Sequence, residues 1–220
     1  AIYVGMLQNV PGIAGHLMAA SIMSAPAALV IAKIIYPETD SSETQGDLNV
    51  DIKKTSSNAM EALGNGATDG LKLAANVAAM LIAFVSIVAM FNYLLSFAGT
   101  SLESILGTMF KPLAWSMGIP WNEAGSMGML MGKKIVFTEL IAYGDLKSLI
   151  GTGAISDRTA IIASYALCGF ANFGSIGIQL GGICGIAPNR KKELASLVTK
   201  AMIGGALASW LTATIAGILI

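Results

Sequence analysis

Seven residues, Gly169-Phe170-Ala171-Asn172-Phe173-Gly174-Ser175, lie in the middle of an apolar run from about Ala160 to Ile186 that is long enough to cross a bilayer. Two glycines weaken the helix there, just where Asn172 and Ser175 bring an amide and a hydroxyl to membrane depth. Hydrocarbon cannot satisfy backbone groups freed by a break, so a break must face protein, water or a ligand. Asn172 and Ser175 share a face if the segment is helical, and in an unwound segment they offer donors and acceptors to a neutral polar ligand. Phe170 and Phe173 can stack on a flat ring, although aromatic residues in membrane helices also serve as plain packing. The other candidate is Glu139, because a carboxylate at membrane depth is costly and marks a substrate, ion or proton path. Its ordinary alternatives are an ion pair with Lys133 or Lys134, or a side chain that snorkels to water. Together these residues suit a small polar ligand with a hydroxylated part and a planar part. Unwound backbone near the midplane is how secondary transporters build such sites.

The elements that position these residues must be membrane helices. The 220 residues are 55% hydrophobic and 12% charged with zero formal net charge, and the mean hydropathy is +0.70; soluble domains carry about twice that charge fraction. The chain is therefore an all-α membrane protein with the lipid bilayer as its surroundings, and without a basic field nucleic acid is not expected as a partner. Cys168 and Cys184 form neither a disulfide framework nor a CxxC motif and read as small packing residues. The chain opens in mid-helix with no charged leader, so an N-terminal part is expected to be missing.

Residues 1–36 read as the end of one transmembrane helix, a turn at Gln8-Asn9-Val10-Pro11-Gly12, and a second helix from Ile13 to Tyr36, kinked at Pro26, with His16 and Lys33 toward opposite interfaces. Residues 37–70 read as a polar connector in which Val50 to Leu63 forms a short amphipathic helix on the membrane surface, ended by Gly64-Asn65-Gly66. Residues 71–98 hold a transmembrane helix, Leu73 to Phe97, of about 25 residues without charge. Residues 99–220 begin with an amphipathic helix, Ser101 to Trp115, placed on the membrane surface with Leu102, Ile105, Leu106, Met109 and Phe110 as its apolar face and Glu103 and Lys111 off it. Ala124 to Leu149 is too polar for a simple span and predicts a re-entrant hairpin with its tip near Thr138-Glu139. The broken span follows, then Pro188-Asn189-Arg190-Lys191-Lys192, then a last helix from about Ala195 to Ile220. Gly181 and Gly185 form a GxxxG read as intramolecular packing. Loop charge places Arg190–Lys192 with Lys53, Lys54 and Lys72 inside and Lys111, Lys147 and Arg158 outside.

Gly132-Lys133-Lys134-Ile135-Val136-Phe137-Thr138-Glu139-Leu140-Ile141-Ala142-Tyr143 resembles the signature of concentrative nucleoside transporters, a Gly-x-Lys followed after three residues by Asn-Glu-Phe-Val-Ala-Tyr. The run from Gly169 to Ile178, followed by Leu180-Gly181-Gly182, looks like the family's second motif, and Ser21 to Ala27 is similar to a third conserved stretch. Thr138 for Asn, Leu140 for Phe and Ile141 for Val are the departures; the first changes one polar contact and the others keep an apolar side chain. The resemblance implies an inverted-repeat fold with a re-entrant hairpin and a broken helix, usually in a homotrimer. It implies that Glu139, Asn172 and Ser175 bind the ribose of a nucleoside of the uridine, cytidine or adenosine class, with Phe170 lining the pocket. It further implies a symporter of the cytoplasmic membrane coupled to sodium or protons, with no cofactor and no metal site in these residues. The family's first hairpin carries Gly-Gln-Thr-Glu and contributes the sodium site; that motif does not occur here, so the sodium site is expected in the missing N-terminal part and this chain holds about half of the substrate site. A transporter of another small solute and a non-transporting membrane subunit are the alternatives. An enzyme has little to work with, since there is no HExxH and His16 is the only histidine.

Overall fold

Turn chemistry and apolar runs divide the chain into helices. In the computed structural model, which describes residues 2–39 and 56–220, the regular structure is helical throughout. The helices are α1 (Ile2–Met6), α2 (Ile13–Ile35), α3 (Ala59–Ser96), α4 (Leu102–Ser116), α5 (Trp121–Val136), α6 (Glu139–Gly151), α7 (Asp157–Leu167), α8 (Phe173–Ile186) and α9 (Lys191–Leu219). Helices α2 and α9 are each long and apolar enough to cross a membrane. They run antiparallel, with Ile31 and Ile35 of α2 lying over Gly204 and the Lys200 ammonium over the Tyr36 ring. The small residues Ala20 and Ala27 are buried along α2, as close helix packing requires. His16 is not a free interfacial side chain: its Nδ1 lies 3.1 Å from the Tyr165 hydroxyl of α7.

The connector differs from expectation. Part of the proposed Val50–Leu63 helix lies outside the described residues, and Gly64-Asn65-Gly66 does not end a helix. Helix α3 instead starts at Ala59 and runs 38 residues through those glycines. Its start is fixed by Asn58, whose side chain accepts the Glu61 N–H at 2.9 Å, and by Glu61, which reaches back to the Ser57 N–H at 2.7 Å. Farther along, Leu73 packs over Gly182 of α8, and Ile87, Phe91 and Leu94 share an apolar groove with Phe173. A helix anchored at both ends carries each internal glycine at a cost of about 1 kcal/mol.

Helix α4 packs on two sides: Leu106 and Phe110 of its apolar face reach the core, and a second side meets α5. Its contact with α5 is made through Glu103, Gly107 and Lys111, one residue per turn, while Ile105 and Met109 on the apolar face stay exposed. The reason is backbone proximity: a Cβ on Gly128 would lie 2.3 Å from the Gly107 carbonyl, and one on Gly132 2.6 Å from that of Glu103. The α4–α5 crossing therefore uses Gly128 and Gly132, whereas Gly185 faces open space.

Helices α5 and α6 form the expected hairpin, turning at Phe137-Thr138. An ion pair between Lys133 and Asp145 joins the arms, and Gly125 and Ser126 lie opposite Thr152. The predicted span across 160–186 is two helices, α7 and α8, separated by Cys168 to Asn172. At the far end Arg158 donates to the carbonyl of Gly217 at 2.6 Å and that of Gly118 at 3.3 Å, tying α7, α9 and the α4–α5 turn together.

Candidate functional site

Two chain interruptions meet at the centre of this assembly. The hairpin turn places Glu139 at the first position of α6, where the positive end of the helix favours a carboxylate. Glu139 is 5% exposed. Its Oε1 accepts from the Tyr3 hydroxyl at 2.8 Å, and its Oε2 lies 3.4 Å from Nδ2 of Asn172. Neither lysine offered as its partner pairs with it. Lys133 is taken by Asp145, and the Lys134 ammonium donates to the Ala166 carbonyl at 2.9 Å and to the Ser209 hydroxyl at 2.8 Å.

The second interruption begins at Gly169, whose φ of 127° lies where side chains are strongly disfavoured. The chain then turns inward, burying Ala171 and Asn172, and α8 starts at Phe173. Asn172 is its N-cap: Oδ1 accepts the Ser175 N–H at 2.8 Å, while the Ser175 hydroxyl accepts the Asn172 N–H at 3.2 Å. This reciprocal box explains the spacing of three between them. It also commits Oδ1 to the backbone and leaves Nδ2 to face Glu139. Gly174 lies in the first turn of α8 rather than in the break.

The four candidate residues are therefore not all together. Glu139, Asn172 and Ser175 converge, each at most 5% exposed. Phe170 does not join them: it is 74% exposed, because the turn at Gly169 directs it away from the face that buries Ala171 and Asn172. It borders a groove shared with Ser24, Ala28, Gln179 and Gly205. Phe173 packs against the core and borders an apolar groove shared with α3, the plain-packing alternative. Cys168 caps α7 and is half-buried. Among the described residues no three His, Cys, Asp or Glu side chains gather as a metal site would require.

Two contributors escape the sequence reading. Tyr3 reaches Glu139 across 136 residues, and its ring stacks on Tyr143 with centroids 4.3 Å apart. Tyr143 is fully buried, and its hydroxyl donates to the Ser164 carbonyl at 2.7 Å. No local periodicity links Tyr3 to Glu139; only the fold brings α1 against α6. Replacing Tyr3 by Phe keeps the stacking and removes one donor to the carboxylate, at an expected cost of about 1 kcal/mol. A lower thermal midpoint of the purified protein checks this. Asn172→Ala removes both the cap and the amide facing Glu139. Capping alone accounts for about 1 kcal/mol, so a lower thermal midpoint should accompany the lost binding. Asn172→Asp restores the cap but sets a second carboxylate against Glu139, and binding should stay lost while the midpoint partly recovers.

The chemistry of this cluster follows from its inventory. A carboxylate offers about four acceptor positions, and two neighbouring donors occupy only part of that capacity. With no cation paired to it among the described residues, Glu139 is equipped to accept further hydrogen bonds from hydroxyl groups.

Comparison with known proteins adds to this geometry. Residues 16–217 match the model of the sodium-dependent nucleoside transporter C-terminus. A nucleoside permease of Helicobacter pylori is 41% identical over 215 residues, covering 93% of this chain and 51% of the permease. A variant of the transporter CNTnw in an outward-facing state superposes with a TM-score of 0.86 at 38% identity, over 100% of this chain and 54% of that one. The inward-facing, substrate-bound CNTnw gives 0.74 at 42% identity, over 98% and 52%. The chain thus spans about half the length of these relatives.

Proposed function

Since this chain belongs to the concentrative nucleoside transporter family, we propose that it forms the C-terminal part of a cation-coupled symporter that imports nucleosides. The observation that carries the reading is the buried Glu139 carboxylate, free of any ion pair among the described residues and facing the α7–α8 break through Asn172. A ribose presents two adjacent O–H donors, and a carboxylate with spare acceptor capacity is complementary to such a pair. The Asn172 amide adds a neutral donor beside the carboxylate, while Phe170, turned away from them, lies outside this cluster. Nucleosides of the uridine, cytidine or adenosine class fit this description. A related permease is named for nucleosides, which supports the same class.

The protein is integral to the membrane, and we place it in the cytoplasmic membrane as a homotrimer. Lys33, Lys200 and Arg190–Lys192 gather toward the end where α2 finishes and α9 starts, while Lys111 and Arg158 lie toward the opposite end. The larger basic group is assigned to the cytoplasmic side. Coupling to sodium or protons is part of the proposal, with the ion held by residues other than these.

The test is uptake of labelled uridine by cells expressing the full-length protein, with sodium replaced by choline at two pH values. Saturable uptake that unlabelled adenosine or cytidine competes away supports the reading, and its ion dependence names the coupling cation. Protein present at the membrane without uptake of any of the three turns the assignment to another small solute on the same scaffold.

A further inference from the structure

Lys134 is fully buried and has no role in nucleoside binding as proposed. A lysine at membrane depth is costly, and the cost is offset only where acceptors are aimed at it. Here they belong to the end of a helix. The last carbonyls of α7 have no partner within that helix and carry the negative end of its dipole. Their partners are individually identifiable: the Ser164 carbonyl accepts from Tyr143 at 2.7 Å, the Tyr165 carbonyl from the Cys168 N–H at 3.0 Å, and the Ala166 carbonyl from Lys134 at 2.9 Å. Two of those three donors come from the hairpin, one on each arm and on either side of Glu139. The third element is α9, since Ser209 accepts from Lys134 at 2.8 Å and donates onward to the Ala206 carbonyl at 2.9 Å.

We propose that Lys134 is a positioning residue: a tethered cation that locks the broken end of α7 to the hairpin and to α9, and so sets the distance between Glu139 and Asn172. Glu139 belongs to the hairpin and Asn172 to the segment after the break, so their 3.4 Å approach depends on whatever fixes one interruption against the other. The charge at the α7 terminus is met by a side chain of the chain itself. The inference rests on the nucleoside reading for the ligand but not for the lock.

Lys134→Met keeps an unbranched side chain of similar volume, one atom shorter, and removes its donors. In the purified full-length protein the rate of Cys168 alkylation by N-ethylmaleimide, resolved by peptide mass spectrometry, is measured beside equilibrium binding of uridine. Cys168 caps the end that the lock holds, so its alkylation is expected to rise about tenfold and uridine affinity to fall by about the same factor. Ser209→Ala removes one acceptor and leaves the rest of the lock; a change of about threefold in both readouts is expected. Lys133→Met breaks only the half-exposed Lys133–Asp145 pair on the same arm and should leave Cys168 within about twofold of wild type. Unchanged Cys168 reactivity in Lys134→Met overturns the proposal, and if that variant does not fold, unchanged reactivity in Ser209→Ala does so instead. Wild-type protein that binds no uridine, with Cys168 still exposed by the mutation, leaves the lock standing and removes the nucleoside reading. Uridine binding with Cys168 unaffected removes the lock alone.

Discussion

Glu139→Gln in the full-length protein is expected to lower nucleoside uptake at least about a hundredfold, equivalent to roughly 3 kcal/mol, while the protein still reaches the membrane folded. The asymmetry follows from what surrounds the carboxylate. Both neighbours are donors, the Tyr3 hydroxyl at 2.8 Å and the Asn172 amide at 3.4 Å. A glutamine oxygen satisfies one of them, and the lost bond costs the fold about 1 kcal/mol. The ligand loses more. Two hydroxyl donors that meet a carboxylate would meet instead an amide whose NH2 also donates, so one hydroxyl is left unpaired in a dehydrated pocket. Uptake per copy of surface protein, beside the thermal midpoint in detergent, separates the two effects. Normal uptake by the variant removes Glu139 from the site; loss of both uptake and folding makes it structural.

A large effect on stability is expected at Gly128. A methyl there would lie 2.3 Å from the Gly107 carbonyl and close to the Lys111 nitrogen, all backbone atoms that cannot swing aside. Gly128→Ala must separate α4 from α5, and overpacking of this kind costs about 1–3 kcal/mol and sometimes more. Gly125, three residues earlier on the same helix, has nothing within 4 Å of the place a methyl would occupy. Gly125→Ala should therefore be neutral or raise the midpoint slightly, because alanine is the better helix former by roughly 0.5–1 kcal/mol. Thermal unfolding of the pair checks the crossing directly: equal midpoints would mean that the two helices do not meet through these glycines.

The candidate site was legible in the sequence where local chemistry breaks an apolar pattern. Glu139 stands out because a carboxylate has no ordinary place in such a segment, and Asn172 and Ser175 because their spacing of three lies beside glycine in a run that would otherwise be one helix. The hairpin and both long apolar helices follow from the same contrast. What sequence spacing does not contain is the identity of partners far apart in the chain. Tyr3 finds Glu139, Lys134 finds Ala166 and Ser209, and His16 finds Tyr165 only through the fold. The direction of Phe170 depends on one backbone angle at Gly169, which no pattern of residue types encodes. Helix α3 shows the opposite error: Gly64-Asn65-Gly66 is a fair stop signal, overridden by a well-formed N-cap upstream and packing downstream. In α4 the hydrophobic pattern gives part of the packing, since Leu106 and Phe110 reach the core as it predicts, while the contact with α5 runs through glycine backbone.

The central claim, that Glu139 and its neighbours accept the hydroxyl groups of a ribose, is tested most directly by equilibrium binding of uridine, 2′-deoxyuridine, 3′-deoxyuridine and 2′,3′-dideoxyuridine to the purified full-length protein. The four share a base and differ only in the donors that the carboxylate would meet. Each missing hydroxyl should weaken binding about tenfold, and the dideoxy compound by roughly a hundredfold, as expected when hydrogen bonds to a charged acceptor are lost. Dideoxyuridine binding as tightly as uridine would contradict that claim.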